Sequence, residues 1–156
     1  MNEDSIQYHR LGNGLRVVAR QVGMPVEHFG VAVNAGSRDE KPGQEGLAHF
    51  VEHTIFKGTS TRRASYVRDR MEVVGGELNA YTTKEETVVY STFPAGHLRR
   101  AMALIGEMTA DAVFPEAEIG REKQVVAEEI DTYLDTPADA VFDDFEDLIY
   151  KGSPLA

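Results

Sequence analysis

Residues Gly46 to Gly58 read Gly-Leu-Ala-His-Phe-Val-Glu-His-Thr-Ile-Phe-Lys-Gly, and few conformations suit them. Stepping about 100° per residue gathers Leu47, Phe50, Val51, Thr54 and Ile55 into one sector, with Ala48 at its edge. His49, Glu52 and His53 fall on the opposite side, joined only by Phe56. A segment divided this way folds as a short amphipathic helix. Its apolar side must be buried against another element, which demands a layered fold around it.

The polar side carries chemistry. His49 and His53 stand one helical turn apart on one face. Neutral imidazole is a common zinc ligand, and two ring nitrogens at this spacing can reach one ion. Glu52 sits beside them. The order H-x-x-E-H reverses H-E-x-x-H and is the inverzincin pattern. A zinc hydrolase needs ligands that leave one coordination position open and a carboxylate that takes a proton from water. The same three residues also suit a solvated helix face, because short motifs recur by accident.

Around this segment the chain reads in blocks. Gln7 to Leu11 and Leu15 to Arg20 form a hairpin, with Asn13-Gly14 as a two-residue turn signal. Val26 to Ala35 is a third strand, and Gly36 to Gly43 a loop rich in turn formers. After the two-sided helix, Ser65 caps a second helix that Gly75-Gly76 stops. Strands follow at Glu77 to Thr82 and Thr87 to Phe93. A helix from Ala95 to Ala112 spaces Leu98, Met102, Ile105 and Met108 for burial. Another runs from Pro115 to Leu134, and a last one from Ala138 to Tyr150, with Pro137 between them. Blocks of strands and helices, rather than strict alternation, predict an α+β fold: a mainly antiparallel sheet with helices packed on one face.

Composition narrows the function. The net charge of −10 argues against nucleic acid, since phosphate contacts want a basic surface. There are no cysteines, so any metal must be held by His, Asp or Glu. No apolar run is long enough for membrane insertion. The acidic start, Met1-Asn-Glu-Asp, lacks a signal core, which predicts a cytoplasmic protein or one whose presequence is absent. At 156 residues the chain suits one domain.

A catalytic zinc usually has three protein ligands, so one is missing. In the helix ending at Leu134, the apolar stripe is Ile119, Val125, Val126, Ile130 and Tyr133, and Glu122 and Glu129 lie two turns apart close to it. Buried carboxylates need a metal or a partner. Spacing alone leaves both glutamates open to either a metal or a salt bridge, whereas Glu128 points about 100° away.

The runs Gly36-Ser-Arg, Gly46-Leu-Ala-His-Phe-Val-Glu-His and Phe56-Lys-Gly-Thr resemble the pitrilysin and insulin-degrading enzyme family of zinc peptidases, nearest in style to its processing-peptidase branch. Gly76-Glu-Leu-Asn-Ala-Tyr-Thr and Arg121-Glu-Lys-Gln-Val-Val-Ala-Glu-Glu-Ile extend the resemblance along the chain. It implies a third ligand roughly 76 residues past His53, which selects Glu129. One zinc per chain would then rest on His49, His53 and Glu129. Glu52 would be the general base for peptide hydrolysis, and Glu122 would orient a ligand or the water. Asn79, Ala80 and Tyr81 would bind substrate backbone by strand addition, and Phe56 would line an apolar pocket.

The family often has methionine where Thr54 stands. Its members enclose a peptide substrate in a chamber built from two halves or two subunits, each half longer than this chain. The resemblance therefore predicts that residues 1–156 are an N-terminal zinc-peptidase domain cut short at its C-terminal end, half of a pitrilysin-family repeat. The distal half would supply an Arg-Tyr pair that helps hold substrate. A non-catalytic subunit of the same family, or a fragment that binds zinc and cleaves nothing, are the other readings. Apolar surface left open by a missing half predicts a homo-oligomer.

Overall fold

A computed structural model describes residues 6–155, apart from the Asp139 side chain; the acidic residues 1–4 lie outside it. Strands β1 (Ile6–Arg10) and β2 (Arg16–Arg20) pair antiparallel with Tyr8 opposite Val18. The expected two-residue turn is instead a three-residue loop. Gly14 N–H donates to Leu11 O (2.9 Å) and Leu11 N–H to Leu15 O (2.8 Å), with Gly14 itself at φ +92°. Gly12-Asn13 make the turn, and Gly14 takes the left-handed position that follows it.

The main sheet is antiparallel in the order β3-β5-β4, from β3 (Val26–Val33), β4 (Glu77–Thr82) and β5 (Thr87–Pro94). Central β5 sets the register. Val89 lies between Val31 and Ala80, and Ser91 between Phe29 and Leu78. Period-two alternation turns all six side chains to one face. Ser91 is fully buried there, its hydroxyl donating to Glu77 O at 2.5 Å.

Helices cover that face, as expected of an α+β fold. They are α1 (Leu47–Thr54), α2 (Ala64–Glu72) and α3 (Leu98–Asp111), while α4 (Glu116–Leu134) packs on α1 and α5 (Pro137–Ile149) on α4. The core joins Val67 and Met71 of α2, Ala101, Leu104, Ile105 and Met108 of α3, and Val89 and Phe93 of β5. In α3 the buried stripe is therefore 101, 104, 105 and 108, whereas Leu98 and Met102 are exposed. The smaller Ala101 permits closer approach to the sheet than Met102 would.

Helix α4 departs further from its expected apolar stripe. Val126 and Glu122 are its buried residues, while Val125 and Ile130 are about half exposed. On α5, Phe142 and Leu148 are exposed as well. No helix among the described residues is long and apolar enough to cross a membrane.

A one-turn 3-10 helix, Ile55–Lys57, continues α1 and ends at Gly58. Gly58 has φ +126°, and a Cβ there would lie 2.7 Å from Arg62 O, so only glycine fits. The following loop is clamped to α3 by Glu107. Its Oε1 accepts from the Thr59 and Thr61 hydroxyls and its Oε2 from Arg62 Nε, all at 2.6 Å. Arg62 above all, then the two hydroxyls, pull the Glu107 pKa down from 4.5 to about 2.

A carboxylate with a depressed folded pKa contributes stability above its unfolded pKa and loses it as pH falls through the folded one. The clamp should therefore act in full above about pH 4.5 and vanish towards pH 2. We expect Glu107→Gln to lower the urea midpoint at neutral pH and to converge on the parent protein across that window. Parallel pH profiles for the two proteins would refute this.

Candidate metal centre

The N-terminus of α1 is fixed from the loop before it. Ser37 N–H and Arg38 N–H donate to Thr83 O (3.2 Å) and Lys84 O (3.0 Å) in the β4–β5 turn. A Cβ on Gly36 would lie 2.3 Å from Thr83 O, so this close approach accounts for the glycine in Gly36-Ser-Arg. Arg38 also pairs with Glu85. The docked loop brings Glu40 to the start of α1, where its carboxylate accepts from Gly46 N–H (2.8 Å) and Ala48 N–H (2.6 Å). Gly46 has no side chain to cap with, and Glu40 supplies the missing acceptor and a favourable charge.

His49 and His53 project from α1 towards α4, their Nε2 atoms 3.0 Å apart. Glu129 Oε2 on α4 lies 3.1 Å from His53 Nε2 and 4.0 Å from His49 Nε2. A tetrahedral zinc with bonds of about 2.0–2.1 Å holds its ligand atoms about 3.4 Å apart, so the three atoms are spaced for one ion. Their chemistry agrees. Glu122 Oε1 lies 3.2 Å from His53 Nδ1, and a carboxylate there calls for the ring proton on Nδ1. With the proton on Nδ1, the other ring nitrogen, Nε2, is the atom of His53 that faces the Glu129 carboxylate and is placed to act as a ligand. Electron-pair donors converging in this way suit a cation.

Glu122 is 8% exposed. Its other oxygen, Oε2, lies 2.5 Å from Lys57 Nζ. Burial pushes the Glu122 pKa up, but the bonds from Lys57 and His53 outweigh it and hold the group below the usual value. Lys57 was not among the residues expected at the site; its signal was only its position one turn after His53. Nor was Glu40, hidden in a loop that reads as turn formers.

Glu52 is half-buried on α1 between the histidines in sequence, and among the described residues no hydrogen bond or ion pair engages it. Phe56 packs against the core cluster. Asn79 and Tyr81 are exposed on the outer face of β4, and Ala80 packs towards the core. Of the expected site residues, the structure brings together His49, His53, Glu129 and Glu122. Thr54 is buried, with its hydroxyl satisfied by Phe50 O at 2.7 Å. On the side of α1 away from the histidines, Leu47, Ala48, Val51 and Ile55 line an open cavity of about 530 Å³ shared with Met108 and Phe114.

The sequence profile of Insulinase (Peptidase family M16) matches residues 16–156. The chain belongs to this family. A relative named uncharacterized zinc protease, from Rickettsia bellii (strain RML369-C), is 38% identical over 157 residues, covering 98% of this chain and 37% of that protein. Cytochrome b-c1 complex subunit 1, mitochondrial, from Bos taurus is 33% identical over 150 residues, covering 96% and 31%. A protease from Helicobacter pylori, known by crystal structure, superposes with TM-score 0.89 at 28% identity over 97% of this chain and 37% of that one. This insulinase-family chain thus spans about a third of the length of the curated relatives it matches.

Removing the Glu40 carboxylate strands two N–H groups at the end of α1. We expect Glu40→Ala to cost about 1–2 kcal/mol in denaturant unfolding. A loss under a few tenths of a kcal/mol would show that water replaces the cap.

Proposed function

We propose that this chain carries the metal centre of a zinc-dependent endopeptidase, and that the convergence of His49 Nε2, His53 Nε2 and Glu129 Oε2 on one point is the observation that carries this reading. One zinc per chain would be held by these three residues. Bound zinc supplies Lewis acidity to the peptide carbonyl and the attacking water.

The chain's own residues do the rest. Glu52, which no hydrogen bond or ion pair engages among the described residues, is free to accept a proton from the attacking water and return it to the leaving amine. Glu122 holds the His53 ring by its Nδ1–H, which keeps Nε2 available as a ligand. Among the described residues β4 pairs with β5 alone, and an extended peptide can add at its other edge along Asn79, Ala80 and Tyr81. Phe56 would contribute apolar lining near the same place. This is the H-x-x-E-H arrangement of an inverzincin. The exposed apolar residues of α5 and the cavity beside α1 are surfaces that the remainder of a longer protein, or a partner subunit, would cover in building a closed chamber around the peptide.

A structural subunit without activity is the second reading, favoured by the bovine cytochrome b-c1 relative. The intact donor set in this chain supports the first.

Protein purified without added zinc should carry about one zinc per chain by plasma mass spectrometry, and Glu129→Gln should lose most of it. A metal-free parent would sink the metal-centre reading. In the peptide-cleaving assembly, Glu52→Gln should keep the zinc and lower turnover by roughly 10²–10⁴-fold. Unchanged turnover would remove Glu52 as the base.

A further inference from the structure

The metal centre has a neighbour with no assigned task. Lys57 follows α1 in the one-turn 3-10 helix, four residues beyond His53. Its Nζ lies 2.5 Å from Glu122 Oε2, while Glu122 Oε1 lies 3.2 Å from His53 Nδ1. The Glu122 carboxylate is thus shared, one oxygen to each partner. Lys57 itself is mostly covered, with 24% of its side chain exposed.

A carboxylate held by His53 alone would keep a free torsion about its terminal bonds. Held at both oxygens, it has one orientation. That orientation sets the plane and tautomer of the His53 ring, and with them the aim of Nε2 at His49 and Glu129. We propose that Lys57 is a positioning residue of the metal centre, acting through Glu122 to hold the His53 ring in its ligand geometry. This rests on the zinc reading above and extends it to a residue that touches neither metal nor substrate.

Simple electrostatics points the other way, which makes the proposal testable by sign. Lys57 is a positive charge close to a cation site, so removing it should by Coulomb's law tighten metal binding. If Lys57 positions the ligand, removing it weakens binding instead. Outer partners of zinc ligands typically contribute 10–100-fold in affinity.

The experiment is a zinc titration of metal-free protein against a chromophoric chelator, on the parent, Lys57→Met, Lys57→Arg, Glu122→Gln and the Lys57→Met/Glu122→Gln pair. We expect Lys57→Met to weaken zinc roughly 10-fold and Lys57→Arg to stay within about 3-fold of the parent. The double variant should bind no more weakly than Glu122→Gln alone, because the path runs through that carboxylate. Ring ¹⁵N shifts of His53 in metal-free protein give a second readout. The parent should show one tautomer with the proton on Nδ1, and Lys57→Met a mixture. Zinc binding by Lys57→Met that equals or exceeds the parent's overturns the proposal, and so does an equal further loss in the Glu122→Gln background. A parent that binds no zinc brings down the metal-centre reading and this inference together. Tight binding by the parent with an unmoved Lys57→Met brings down this inference alone.

Discussion

The seam between α1 and α4 is held by a buried carboxylate. Helix α4 offers little apolar surface there: Val126 and Glu122 are its buried residues along nineteen positions. A buried carboxylate without partners costs several kcal/mol, so this seam closes only because Lys57 and His53 meet Glu122 as it closes. The consequence is directional. Apolar contacts tolerate sliding, but a carboxylate divided between two donors fixes the register of α4 against α1, and that register brings Glu129 to the histidines.

Helix α1 is held at both ends. Its N-terminus is tied through Glu40 to a loop that itself docks on the β4–β5 turn. Its C-terminus runs through Ile55 into the core and then into the loop that Glu107 clamps to α3. The helix that carries both histidines is only eight residues long and would be marginal alone. Anchors at both ends replace the stability that length would have given. Because these anchors reach the β4–β5 turn at one end and α3 at the other, α1 takes its orientation from the sheet and its covering helices.

What the sequence made legible follows from the range of the interactions. His49 and His53 are four residues apart, so helical geometry alone puts them together. The strands of the main sheet were readable because each carries a period-two pattern that one buried face demands. Glu129 is different. Its meeting with His53 depends on two helices docking across a distant stretch of chain, and the pattern of α4 sets it and Glu122 beside the apolar stripe without telling a metal ligand from a salt-bridge partner. Only family resemblance singled it out.

The misreadings have a common physical source. Val125 and Ile130 of α4 and Leu98 and Met102 of α3 have the spacing of core residues, yet the elements facing them leave those sides open. The same holds for α1, whose apolar side borders a cavity of about 530 Å³. Periodicity reports which face of a helix could be buried, and a neighbour decides whether it is. In this chain the histidine-bearing side of α1 has its neighbour and the apolar side has room for one. A segment filling that cavity would press on Val51 and Ile55, on the same rigid turns that carry His49 and His53. The paired histidines and the open apolar side are therefore two faces of one short helix, and Glu122 on α4 meets the first of them through His53 and Lys57.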